Sequence, residues 1–181
     1  MTVRYCSDSH LHDVVSLDWR NNMDVNDYAQ MLIHNWNEST ASDDTVYFVG
    51  DIGRLCPLSV DVLHQLKGNK ILVIGNHDAE WLEYPETHKI FVECFTAVRQ
   101  DNVLILHDPA DVPAYDLDGV DFIIHGHHHQ YDSNNMRAEL LAYARDVHRY
   151  NCCLDLNKNK PCTIQELMTN KAVLLDRMAL T

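Results

Sequence analysis

Asp8, His10, Asp51, Asn76, His107, His127 and His129 combine carboxylate, imidazole and amide donors, and each follows closely on a short apolar run. Such a mixture of oxygen and nitrogen ligands suits Mn, Fe, Zn or Ni better than Ca or Mg, and the lack of a cysteine among them argues against a structural zinc site. Seven ligands exceed what one ion takes and suit two ions that share a carboxylate. Two metals about 4 Å apart can stabilise both the attacking and the leaving oxygen of an in-line displacement at phosphorus. Imidazole binds one ion through one nitrogen, so the shared ligand has to be a carboxylate. Asp51, midway in the series, is the natural choice.

For this chemistry the seven residues must meet, and the runs before them indicate how. "TVRYC" leads to Asp8, Ser9 and His10, "TVYFV" to Gly50 and Asp51, and "KILVI" to Gly75, Asn76, His77 and Asp78; "NVLIL" leads to His107 and "DFII" to the histidine cluster "HGHHHQ". Short runs rich in Val, Ile and aromatics read as buried strands. Between them, Val25, Tyr28, Ala29, Leu32, Ile33 and Trp36 repeat at helical spacing behind Asp24 as N-cap. A second helix is expected over residues 60–67, opened by Ser59 and stopped by Gly68, and a third near the C-terminus behind a Thr163/Glu166 capping box. Residues 136–148 also have helical spacing, and "YNCCLDL" after them reads as one more strand. Strands alternating with helices indicate an α/β fold, in which ligands collect beyond the carboxyl ends of the strands.

The 181 residues, 46% of them apolar, suffice for a sizeable core, and residues 1–181 are expected to form a single domain. No internal repeat, low-complexity tract or Gly/Ser-rich linker is present. No apolar run reaches eighteen residues and the first residues do not read as a signal peptide, so a cytoplasmic protein without membrane association is expected. The six cysteines lack C-x-x-C spacing and read mostly as small buried residues. A formal charge of -13 weighs against nucleic acid or an anionic membrane as a partner. A small phosphorylated substrate, a nucleotide or another phosphoester, is compatible with it if metal ions supply local positive charge.

Taken together, "DSH" at 8–10, "GD" at 50–51, "GNHD" at 75–78, the histidine of "LHDP" and "GHHH" at 126–129 stand in an order that resembles the calcineurin-like metallophosphoesterases. Within them the chain is similar to the small single-domain bacterial and phage type, in which "WN" (Trp36-Asn37) and a "DTVYF-x-GD" run (Asp44 to Asp51) are usual; the resemblance spans residues 5 to about 165. It implies a four-layer α-β-β-α sandwich, two facing mixed sheets flanked by helices. It also implies two divalent transition-metal ions, Mn foremost with Fe, Zn or Ni as alternatives. Asp8, His10, Asp51 and His129 would hold one, and Asp51, Asn76, His107 and His127 the other. In the implied mechanism a metal-bound hydroxide attacks phosphorus, Asn76 helps to stabilise the developing charge, and His77 protonates the leaving oxygen. Asp78 would orient the His77 ring. Gly126 would allow a tight turn, with His128 pointing away and His125 and His128 left as surplus.

Other residues carry less chemistry. Arg54 reads as a surface ion-pair partner ahead of a phosphate contact, and His12 and Asp13 either support the first motif or lie in a solvated loop. Trp36 reads as core, Asn37 as a cap or a support for the site, and His34, His64, His88 and His148 as surface residues. Residues 131–149 depart from the family's pattern, which passes quickly from G-H-x-H to a strand, and they read as a helical insertion that packs rather than covers the site. Two rival readings stand beside the enzyme. A non-catalytic scaffold would be expected to have lost ligands or the acid, and a nuclease acting on nucleic-acid ends finds no basic stripe in this sequence.

Overall fold

Four parallel strands, β1 (Val3–Cys6), β2 (Thr45–Phe48), β3 (Asn69–Val73) and β4 (Phe91–Phe95), form a sheet in the order β1-β2-β3-β4. Helices α1 (Val25–Ser39), α2 (Pro57–Gln65), α3 (Ala79–Glu83) and α4 (Thr87–Ile90) connect them. Because the strand order advances in one direction, right-handed crossovers put these helices on one face. Tyr28, Leu32 and Trp36 of α1, Leu63 of α2 and Trp81 of α3 accordingly share a core with Cys6, Phe48, Leu72 and Phe91 of the sheet. The computed structural model describes residues 1–14, 16, 20, 22–129, 146 and 148–179.

The opposite face of this sheet meets a second one, ordered β5-β6-β7-β8, made of Ala97–Gln100, Val103–Leu106, Phe122–His125 and Arg149–Asn151. Tyr47, Val49 and Val73 pack there against Val103, Ile105, Ile124 and Tyr150, together with Leu167 of helix α5 (Ile164–Ala179). The outer side of the second sheet presents Leu104, Leu106 and Ile123 to Val112 of a 3-10 segment, Pro109–Ala114. The expected α/β sandwich of two facing sheets with flanking helices is thus present. Only the second sheet is mixed: β5 and β6 are antiparallel, joined by a turn with Asp101 at φ 52°, whereas in the first every connection returns through helix and so keeps the strands parallel.

Helix α1 starts where expected, with the Asp24 carboxylate accepting from the N–H groups of Asn26 and Asp27 at 2.8 and 3.4 Å. The capping box also forms: Thr163 N–H donates to Glu166 at 2.9 Å and Glu166 N–H to Thr163 Oγ1 at 3.2 Å. Helix α2 starts earlier than residue 60, because Pro57 is preset for the first helical position behind Cys56, and Ser59 is buried within the helix rather than capping it. Of "YNCCLDL" only Tyr150 and Asn151 belong to β8; the chain then turns into a 3-10 segment, Leu154–Leu156. β4 and β5 were not anticipated. The helix expected over 136–148 falls, apart from residues 146 and 148, outside the described residues.

One crossing brings the two sheets together at the end where the candidate ligands emerge. Ser7 N–H donates to the Cys152 carbonyl at 3.2 Å, and Cys152 N–H donates to the His125 carbonyl at 2.8 Å, so residue 152 links the end of β1 to the end of β7. Among the described residues no helix is long and apolar enough to cross a membrane.

Candidate metal centre

Beyond β1, β2 and β7 the chain turns through left-handed residues that are not glycine, among them Asp8 (φ 60°), His10 (φ 39°), Asp51 (φ 58°) and His127 (φ 70°). Such conformations cost on the order of 1–3 kcal/mol each and gather at functional sites. All four are candidate ligands. Two of the motif glycines make room for carboxylates of other motifs. A Cβ on Gly75 would stand 2.4 Å from Asp51 Oδ1, and one on Gly126 would stand 2.6 Å from Asp8 Oδ2. Gly126 is not itself left-handed. The turn expected there does form, His128 N–H donating to the Gly126 carbonyl at 2.8 Å, but His127 is its left-handed residue, and the close approach of Ser7 and Asp8 is what leaves no room for a side chain at 126.

The seven candidate ligands fall into two touching groups. In the first, His129 Nε2 lies 3.1 Å from His10 Nε2 and 3.3 Å from Asp8 Oδ1. In the second, Asn76 Oδ1 lies 3.0 Å from His107 Nε2 and 3.1 Å from His127 Nδ1, and those two nitrogens are 3.3 Å apart. Asp51 Oδ2 stands between the groups, 3.7 Å from His10 Nε2 and 3.4 Å from His107 Nε2. Ligands held about 2.0–2.2 Å from one ion are themselves about 2.8–3.6 Å apart at octahedral to tetrahedral angles.

Hydrogen bonding fixes which nitrogen two of the histidines present. His107 Nδ1 is 2.8 Å from the Val49 carbonyl, which can only accept, so the proton sits on Nδ1 and Nε2 faces the centre. His129 does the same against the Asp155 carboxylate, Nδ1 to Oδ2 at 3.0 Å. Burial alone would lower the pKa of both rings, but the Asp51 and Asp8 carboxylates around His107, and Asp155 and Asp8 around His129, raise each to about 9. Asp51 moves the other way, to about 2, because His107 and the His77 N–H outweigh its burial. Asp8 is likewise lowered despite burial, through His129. The carboxylates around these rings favour positive charge at the centre, which a divalent cation can supply in place of protons. Asp8, His10, Asp51, His107 and His129 are buried, while Asn76 is exposed and His127 partly so, which leaves the centre open on one side.

His77 lies on that open side. Its ring is exposed and meets the His10 ring edge-on, with centroids 5.7 Å apart, and its N–H donates to Asp51 Oδ1 at 3.0 Å. Asp78 does not orient it. The Asp78 carboxylate is fully buried and accepts instead from the N–H groups of Gly75, Ile52 and Asp51 at 2.8, 2.9 and 3.0 Å. It clamps the loop after β3 to the loop after β2.

The remaining candidates divide. His12 is buried against Ser59 Oγ at 3.0 Å, which ties the first loop to α2, and Asp13 Oδ2 is 3.6 Å from His10 Nδ1. Arg54 is exposed and, contrary to the ion pair expected, its guanidinium has no hydrogen-bond or ionic partner among the described residues. Asn37 neither caps nor supports the site: it bonds Gln65 O and Lys67 N at 2.9 Å each, joining α1 to the end of α2. Trp36 is core, and His34, His64, His88 and His148 are exposed. His125, read as surplus, is buried with Nδ1 2.9 Å from the Gly126 carbonyl. Arg20 and Asp155, which touch the motif residues directly, carry no spacing signature and were missed.

The family model for the calcineurin-like phosphoesterase superfamily domain matches residues 1–149. The chain belongs to the calcineurin-like phosphoesterase superfamily. An uncharacterized protein of Methanocaldococcus jannaschii is 28% identical to it over an alignment of 130 positions that covers 68% of this chain and 66% of that protein. The crystal structure of a protein of unknown function from Aquifex aeolicus superposes with a TM-score of 0.69 at 20% identity, covering 92% of this chain and 97% of that one. That likeness concerns the fold. For a calcineurin-like phosphoesterase domain, which typically binds divalent metals, the donor set described above is chemically suited to such ions.

Proposed function

We propose that this calcineurin-like phosphoesterase domain hydrolyses phosphate mono- or diesters of a small substrate with the help of two divalent metal ions, Mn²⁺ foremost. The observation that carries the reading is the position of Asp51 Oδ2 between the His10 and His107 nitrogens, 3.7 and 3.4 Å away, where one carboxylate can serve both ligand groups. Asp8, His10, Asp51 and His129 would hold one ion, and Asp51, Asn76, His107 and His127 the other. When bound, such ions acidify water and neutralise charge on phosphoryl oxygens.

The chain's own residues supply the remainder. His77, exposed beside His10, stands where a leaving oxygen can take a proton from its imidazole. The bond from its N–H to Asp51 fixes its loop relative to the shared carboxylate. Asn76, exposed at the opening, can donate its amide N–H groups to a phosphoryl oxygen. The net charge of -13 leaves metal ions as the main source of positive potential for a phosphate.

The test is hydrolysis of p-nitrophenyl phosphate and bis-p-nitrophenyl phosphate by metal-stripped protein before and after addition of Mn²⁺. Turnover restored by Mn²⁺ supports the reading, and the ratio of the two rates separates monoesterase from diesterase. Absence of turnover in protein carrying two ions per chain would overturn it in favour of a binding role.

A further inference from the structure

Arg20 is an unusual residue to find buried, since a guanidinium withdrawn from water costs several kcal/mol unless it is paired and fully bonded. It is both. Its Nη2 donates to the carbonyls of Ser9 at 2.9 Å and Asp8 at 3.3 Å, its Nη1 to Ser16 Oγ at 2.8 Å and the His10 carbonyl at 3.5 Å, and its Nε to Asp155 Oδ1 at 3.4 Å. The guanidinium also lies 3.7 Å over the Tyr28 ring of α1. Three consecutive carbonyls of the "DSH" turn are therefore gathered onto one cation, in a turn where Asp8 and His10 are both left-handed. The other oxygen of Asp155 meets His129 Nδ1 at 3.0 Å.

We propose that Arg20 and Asp155 are positioning residues for the metal centre, a buried strut that aligns Asp8, His10 and His129 as one preformed ligand group. Arg20 shapes the backbone that carries Asp8 and His10, Asp155 sets the ring of His129, and the Arg20–Asp155 pair locks one to the other across 135 residues of chain. In the second ligand group Asp78 ties the Asp51 and Asn76 loops together, but no buried ion pair like Arg20–Asp155 stands behind it among the described residues. This assignment rests on the metal reading above but does not need phosphoester hydrolysis, because it concerns metal binding alone.

The test is titration of the metal-free full chain with Mn²⁺ by calorimetry, and with Co²⁺ by its visible absorption, for the wild type, Asp155→Asn and Arg20→Lys, well below each protein's melting temperature. Loss of a carboxylate behind a ligating histidine typically weakens metal binding by about 10–100-fold. Asp155→Asn is expected to weaken one of two binding events by that factor and to alter the Co²⁺ spectrum. The other event should stay within about twofold. Arg20→Lys keeps the charge but cannot span three carbonyls, and is expected to affect the same event. Wild-type affinities and spectra in both variants, or a lower melting temperature alone, would overturn the assignment and leave Arg20 and Asp155 as ordinary packing. Binding without turnover in the wild type would instead refute the phosphoesterase reading and leave the strut intact.

Discussion

His77 and Asp78 are neighbours in sequence with opposite surroundings, and their substitutions should separate chemistry from stability. The His77 ring is exposed and meets the centre edge-on at His10, while its N–H bond to Asp51 belongs to the backbone, so His77→Ala is expected to lower kcat by about 10²–10⁴-fold while metal content and melting temperature stay as in the wild type. Asp78→Ala would strip three buried N–H groups of their acceptor, and urea unfolding should show a loss of about 3–5 kcal/mol. The sequence motif places both residues at the site, yet it does not reveal that Asp78 serves the backbone, because a carboxylate next to a histidine in sequence need not face it in space. The ligands were legible for a local reason: each follows an apolar run within a few residues. Arg20 and Asp155 were not, since neither lies next to a motif residue in sequence.

Asp44 shows how a single carboxylate can hold elements in register. It accepts from Ala41 N–H at 3.1 Å, Thr2 N–H at 2.7 Å and Arg4 Nε at 3.1 Å, and so joins the end of α1 to the starts of β1 and β2. The Ala41 and Thr2 amides, with Arg4, lower its pKa to about 2, below the usual carboxylate value near 3.9. Above about pH 4 the group is ionised in both the folded and unfolded chain and its stabilisation is complete; below that it is lost as pH falls through about 2. Asp44→Asn should therefore melt at a lower temperature than the wild type at pH 7, and the gap should narrow as the pH is taken from about 4 toward 2. A gap that stays constant with pH would mean that packing, not charge, is what Asp44 contributes. Elements with a strong pattern, such as α1 and the five apolar strands, could be read directly. β4 could not, because it buries only Phe91 and leaves the next four residues exposed, and the start of α2 was misplaced because Pro57 outranks Ser59 as a helix opener.

At the scale of the whole molecule, the candidate ligands come from both sheets. Asp8, His10, Asp51 and Asn76 follow strands of the first, and His107, His127 and His129 follow strands of the second. Apolar periodicity identifies strands but does not say which sheet each joins, so the division into two facing sheets came from the family resemblance and not from the pattern. The consequence of that division is that ions bound here would staple one sheet to the other, as the chain itself already does through Cys152. Anything that binds the folded state alone stabilises it by mass action, by about 2.7 kcal/mol per site at a hundredfold excess over the dissociation constant. Metal-stripped protein is therefore expected to gain melting temperature as Mn²⁺ is added, and to lose it again with a chelator. Asp51→Asn should abolish most of the gain, because Oδ2 of that residue stands between His10 Nε2 and His107 Nε2, 3.7 and 3.4 Å away. If the variant gained as much stability from Mn²⁺ as the wild type, the ion would be binding without Asp51, for instance at the adjoining group of Asp108, His127 and His128, and the shared-carboxylate reading would fail.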